Sequence, residues 1–211
     1  MNRFTAVTLM NLALCGLTQA NITPTNTSIT GSGPFIWTYN LQLSNDQNVN
    51  SGAAPSTNPV AHANQAFAGF FTIYDFGGYI NGSCTGPVGW TCTSQNIGFT
   101  PDDVVPFDNP AVANITWVYT SGPTILGQPL GKDMGFFSAQ SIYNVPTQVS
   151  YAGRGVKNIG GSIGSTADNV GNTQAPLSIG LVLVTPEPAF TGAVGMVLVL
   201  LALMKLRPKA E

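Results

Sequence analysis

Charge is what this chain has least of. Only 8% of its 211 residues are Asp, Glu, Lys or Arg, where a cytosolic enzyme of similar size carries about 25%. Seven Lys and Arg face nine Asp and Glu, for a formal charge of −2, and no basic run lies outside the extreme C-terminus. A nucleic-acid binder needs a basic footprint to displace counterions from phosphates, so no nucleic-acid partner is expected. Histidine is almost missing too: His62 stands alone, and the stretch 21–184 holds no glutamate. Cysteine numbers three, and Cys15 falls in an apolar N-terminal run. No repeat recurs at a fixed period, which argues against a solenoid or propeller. Thr, Ser, Asn and Gly fill the place of charge, as in secreted β-rich proteins. The 24 glycines and 15 prolines exceed the ordinary share of about 12% without reaching a low-complexity composition.

The N-terminus reads as a secretory signal. Arg3 supplies the positive start, Phe4 to Leu17 are mostly apolar, and Thr18-Gln19-Ala20 sets small residues around a cleavage site after Ala20. Residues 1–20 are therefore expected to be removed by signal peptidase after passage through the general secretion machinery. A lipid-modified cysteine would follow a small residue, whereas Leu14 precedes Cys15.

At the other end, Thr185-Pro186-Glu187-Pro188 leads into Ala189 to Met204, a run without charge, followed by Lys205, Arg207 and Lys209. At a rise of about 1.5 Å per residue the run falls a little short of the ~30 Å hydrocarbon core. A snorkelling Lys205 and Leu206 extend it to a membrane helix over 189–206. The basic end stays cytoplasmic, which sets residues 21–184 outside.

This ending resembles the PEP-CTERM sorting signal of Gram-negative bacteria, also labelled the ice-binding protein C-terminal domain. Its parts are the Pro186-Glu187-Pro188 motif, the adjoining apolar helix and the basic residues Lys205, Arg207 and Lys209, in the family order at the end of the chain. Thr185 replaces the common Val, and Leu206 and Pro208 interrupt the basic cluster. The resemblance covers residues 185–211. It implies recognition by an exosortase-type processing enzyme, transient membrane anchoring, and delivery to the cell surface or extracellular matrix. Family members often occur where exopolysaccharide is made.

Between the ends, the pattern is β. Phe35, Trp37, Tyr39, Leu41 and Leu43 alternate with polar residues, as do Ile115, Trp117 and Tyr119, and Leu177, Ile179, Leu181 and Leu183. Such alternation sets one face toward a core and the other toward water. Further strands are expected over Ala68–Asp75, Gln95–Phe99, Gly135–Tyr143 and Thr147–Val156. Seven or more short strands between Gly, Pro and Asn turns argue for an all-β fold, a β-sandwich ectodomain. Ser44 to Gln65 and Asn158 to Gln174 lack apolar density and read as loops.

Cys84 and Cys92 flank a short segment with a Gly-Pro turn. In an oxidising compartment they are expected to form a disulfide, contributing roughly 2–3 kcal/mol by the chain-entropy argument. A redox pair would favour a C-x-x-C spacing, and a metal site would need partners that only His62 could supply. No metal or cofactor is expected.

Catalytic motifs fail on context. Gly160-Gly161-Ser162-Ile163-Gly164 has the G-x-S-x-G spacing, but that motif needs a strand before it, a helix after it and a downstream histidine. Gly127 to Lys132 is one residue short of a phosphate loop. Asp102, Asp103 and Asp108 cluster in a Pro-rich segment, where capping turns or facing solvent is the plain reading. Calcium coordination with Asn109 is the alternative, since calcium takes hard oxygen ligands. Three classes follow: a non-catalytic structural protein of the surface, which is favoured; a polysaccharide-binding module stacking sugars on Trp90 or Tyr79, with Trp37 and Trp117 in the core; and, last, an enzyme. Regular threonine arrays on a flat face, which ice binding would require, are not apparent.

Overall fold

The computed structural model describes residues 22–61, 67–160 and 163–178. The signal segment 1–20, His62, the sorting motif Pro186-Glu187-Pro188, the span 189–206 and the basic residues Lys205, Arg207 and Lys209 lie outside the described residues. Of the expected strand from Leu177 to Leu183, only Leu177 and Ser178 are described, and they follow the end of β10 at Pro176.

Among the described residues there are ten strands and no helix. In chain order they are β1 Ile22–Thr30, β2 Phe35–Leu43, β3 Gln47–Val49, β4 Phe70–Ile73, β5 Trp90–Gln95, β6 Asn114–Tyr119, β7 Ile125–Leu126, β8 Lys132–Ser141, β9 Pro146–Lys157 and β10 Thr166–Pro176. They form two antiparallel sheets. The smaller runs β1-β2-β8; the larger runs β5-β6-β4-β9-β3-β7, with β10 on the other side of β9.

The alternation of β2 holds. Trp37, Tyr39, Leu41 and Leu43 are buried, and they join one core with residues of the larger sheet, including Phe71, Ile73, Ile115, Trp117 and Tyr151. Phe137 of β8 meets Trp117 edge-on at 5.9 Å and Trp90 edge-on at 5.0 Å. Such ring pairs add about 0.5–1.5 kcal/mol each beyond the area they bury. In β6 every position is buried, so Asn114 and Thr116 are as enclosed as Trp117. The reason is a second apolar cluster of Val60, Ala68, Phe70 and Val118, with Phe67 and Phe99 against it. These residues cover the outer face of the larger sheet.

Three segments differ from the sequence reading. Asn158–Gln174 reads as a loop, yet β10 pairs with β9 without interruption from Thr166↔Val156 to Pro176↔Pro146. Its buried positions are small or polar (Thr166, Ala167, Asn169, Thr173 and Ala175), so backbone pairing takes the place of an apolar signal. Within Ser44–Gln65, Gln47–Val49 forms β3, paired with β9 and β7. The strand expected over Gln95–Phe99 lies earlier, at Trp90–Gln95, paired with β6.

Two irregularities shape the smaller sheet. Between Thr25↔Asn40 and Ser28↔Thr38, β1 carries an extra residue, with Asn26 at φ 49°. Between Asn40↔Phe136 and Gln42↔Asp133, β8 carries another, with Gly135 at φ 93°. Both are β-bulges, and both flank Asn40 on the central strand.

The two sheets are tied at opposite margins. At one, Ile22 N–H of β1 donates to Asn169 Oδ1 of β10 (3.1 Å), and Asn169 Nδ2 donates back to Ile22 O (3.0 Å). Gly153 makes room for this clasp, since a Cβ there would come within 3.0 Å of both Asn169 Oδ1 and Ile22 Cβ.

Candidate functional site

The other tie is covalent. Cys84 and Cys92 are bonded, with Cα atoms 6.1 Å apart. Cys92 lies on β5 of the larger sheet. Next to Cys84, Thr85 pairs with Ser138 of the smaller sheet through Thr85 N–H to Ser138 O (2.8 Å) and Ser138 N–H to Thr85 O (3.0 Å). Trp117 Nε1 also donates to Thr85 O, at 2.9 Å. The bridge therefore cross-links the margins of both sheets beside the core.

The acidic residues separate into two groups. Asp102 and Asp103 do not meet Asp108; they meet Asp168 of β10, all three offering carboxylate oxygens within 4.8 Å of one another. Arg154 of β9 reaches into this group. Its Nε and Nη2 each donate to Asp168 at 2.7 Å, and Nη2 lies 3.5 Å from Asp102 Oδ1. The guanidinium also donates to Ala61 O (3.0 Å) and Val60 O (2.9 Å) and lies over the Phe70 ring at 5.9 Å. The side chains of Arg154 and Asp168 are 3% and 2% exposed. A fork-to-fork ion pair out of water is held by such hydrogen bonds; here it pins the segments around Val60 and Asp102 to the sheet.

Asp108 and Asn109 join Asp75 instead. Asp75 takes the left-handed region at φ 54° and is 2% exposed. Its N–H donates to Asn114 Oδ1 (2.7 Å), and its Oδ1 accepts from Asn109 N–H (2.8 Å). Asn114 Nδ2 then donates to Asp108 Oδ1 (2.8 Å) and Asn96 O (3.1 Å). Burial pushes both carboxyl groups above the usual range, and for Asp75 the nearby Asp108 charge adds to the rise. Burial likewise raises the Tyr74 hydroxyl, which meets Phe99 O and Thr100 Oγ1. The four-ligand set suggested by Asp102, Asp103, Asp108 and Asn109 is thus split.

Neither expected stacking residue is free. Trp90 is 9% exposed, lodged between Tyr119 and Phe137. Tyr79 is half-buried, edge-on to Phe76 at 6.0 Å. Trp37 and Trp117 are buried as expected. Gly160 and Gly164 belong to the turn between β9 and β10, where Gly164 N–H donates to Lys157 O (2.9 Å). A hairpin turn lacks the strand-to-helix elbow that a nucleophilic serine needs.

Two phenylalanine rings stand out as equally exposed, Phe107 in the segment before β6 and Phe136 on a strand. Phe136, on the outer face of the smaller sheet, is 67% exposed and pairs directly with Asn40. Asn40 Nδ2 donates to both carboxylate oxygens of Asp133 (3.1 and 3.2 Å). Asn40 Oδ1 accepts from Gln42 Nε2 (2.6 Å) and Thr25 Oγ1 (3.3 Å). Gly135 N–H donates to Asp133 Oδ1 at 2.8 Å, and this bond, followed by the Asn40 amide, holds the Asp133 carboxyl below the usual range. The sequence hides the arrangement, because Phe136 and Phe137 are adjacent and only the bulge decides which turns outward. No protein-family model, curated protein or solved structure matches the chain.

Proposed function

We propose that the chain is an exported cell-surface or extracellular-matrix protein of a Gram-negative bacterium, with a non-catalytic structural role. Its ectodomain, 21–184, is a β-sandwich, a reading supported by two antiparallel sheets that share one core. Signal peptidase removes residues 1–20. An exosortase-type enzyme then recognises Pro186-Glu187-Pro188 while the helix 189–206 anchors the chain, with Lys205, Arg207 and Lys209 on the cytoplasmic side.

The structural observation that carries this reading is the Cys84–Cys92 disulfide. Disulfides persist in oxidising compartments and are rare in the cytosol, and this one joins the two sheets. The sequence adds the sorting motif. Proline fixes φ and biases the residue before it toward extended geometry, so two prolines around Glu187 present extended backbone just outside the helix, in a form an enzyme cleft can accept. Glu187 suits the positive end of the helix dipole.

Changing Pro186-Glu187-Pro188 to three alanines is expected to leave secretion and the disulfide intact. The protein should then stay in the inner membrane at full tail length, read by fractionation and intact mass. A triple variant that reaches the surface with the processed mass of the wild type would instead identify a plain C-terminal anchor.

A further inference from the structure

The outer face of the smaller sheet is built to present Asp133 and Phe136 together. In an unbroken strand, residues three apart point to opposite faces. Met134 is buried in the core and Phe137 is buried at 0%, which leaves Gly135 as the residue that restores the count. The bulge re-aims the strand, so the carboxylate and the ring share one face and flank Asn40. The bulge on β1 brings Thr25 to the same asparagine from the other side.

The groups have definite chemistry. The Phe136 ring offers an apolar surface with a negative π face. Beside it the Asp133 carboxylate accepts from Gly135 N–H, the Asn40 amide and the Gln42 amide and remains exposed to an outside donor. Gln42, Thr25, Thr38 and Ser138 supply amide and hydroxyl groups on the same face, and Thr85 Oγ1 meets Ser138 Oγ at 2.8 Å. A protein partner would want about 800 Å² of surface around an apolar centre, whereas this face has one aromatic ring, with Ile36 partly exposed along the strand, amid polar groups. A pyranose fits it better, for it has an apolar C–H face and a rim of hydroxyls that both donate and accept. Lys132 pairs with the inward-facing Leu43, so Asp133 is the charged group among these residues, and its negative charge disfavours an acidic polymer and leaves the face suited to an uncharged one.

We propose that this face binds a neutral polysaccharide, with a sugar ring stacked on Phe136 and a hydroxyl donating to Asp133. The proposal stands on the folded domain and not on how the chain is exported or anchored.

The test is affinity electrophoresis of the full-length protein in non-ionic detergent. Native gels are cast with dextran, hydroxyethylcellulose or galactomannan, and with alginate as the acidic comparison. At least one neutral polymer should retard the wild type. Phe136→Ala should weaken that retardation on the order of tenfold, about 1.4 kcal/mol, with unchanged melting temperature, and Asp133→Asn should weaken it as well, with a lower melting temperature because an NH2 group then faces Asn40 Nδ2. Phe136→Trp should keep it, which separates loss of a stacking surface from loss of fold. Migration unaffected by all three neutral polymers, retardation by alginate alone, or wild-type behaviour of Phe136→Ala would overturn the proposal. None of these results bears on the processed mass that tests the sorting signal.

Discussion

The two sheets treat their outer faces in opposite ways. The larger is roofed by its own loops: Phe70 and Val118 lie under Val60, Ala68, Phe67 and Phe99. Thr72 Oγ1 donates to Phe99 O at 2.8 Å, and Arg154 holds the roof by its backbone carbonyls. The smaller sheet leaves Phe136 two-thirds exposed amid amides and hydroxyls. One face is therefore part of what keeps the protein folded, while the other is available for contact. A strand's polar residues look alike in the two cases, and only the loops that return over them tell the cases apart.

The comparison is most sharply broken at Arg154. Arg154→Met takes the guanidinium away from the buried Asp168 carboxylate, and removing one member of a buried pair costs about 3–5 kcal/mol. Chemical denaturation should show that loss, and the segment around Val60 should become open to proteolysis. Cys84→Ser with Cys92→Ser should cost roughly 2–3 kcal/mol in the same measurement. Asn169→Ala strips the clasp and leaves the Ile22 N–H and carbonyl buried and unpaired, at about 1–3 kcal/mol. Phe136→Ala, on the open face, should move stability by about 0.5 kcal/mol or less. An effect of that variant as large as that of Arg154→Met would make the smaller sheet's outer face structural too.

Asp75 offers a sharper, pH-dependent probe of the enclosed region. Its carboxyl and that of Asp108 are raised in the folded chain, so the proton is bound more tightly folded than unfolded. The stabilisation this gives is fully present below the ordinary carboxylate range and is lost as pH rises through the raised values. Asp75→Asn keeps an oxygen for Asn109 N–H and should flatten the fall in melting temperature across that interval. An unchanged slope would show that Asp75 does not titrate there.

Strands with large alternating side chains were legible in the sequence, because burial periodicity is written in side chains. β2, β6, β8 and β9 fall where Trp37, Trp117, Phe137 and Tyr151 predict them. β1, β3 and β10 were not legible, for they are held by backbone pairing and by polar contacts such as Asn169 to Ile22. The acidic cluster misled for a related reason. Asp102 and Asp108 are neighbours in sequence, but their true companions, Asp168 and Asp75, come from a strand that reads as a loop and from a left-handed kink after β4. Trp37 and Trp117 lie in the core as their alternation implies, whereas composition does not tell an enclosed ring such as Trp90 from an open one such as Phe136. That choice falls to a single glycine bulge in β8.

The Asn169–Ile22 clasp also sets an order of events. Its partners are 147 residues apart, joining the first strand to the last. Long-range closures of this kind come late, since the loop entropy is lost before the contact forms. For a chain threaded through a membrane from its N-terminus, Ile22 emerges early and must wait for Asn169 before its N–H and carbonyl find these partners. The finished fold is thereby incompatible with a half-crossed chain. On the proposed export route, translocation would proceed on an open polypeptide, and the domain would lock shut only once nearly all of it had crossed.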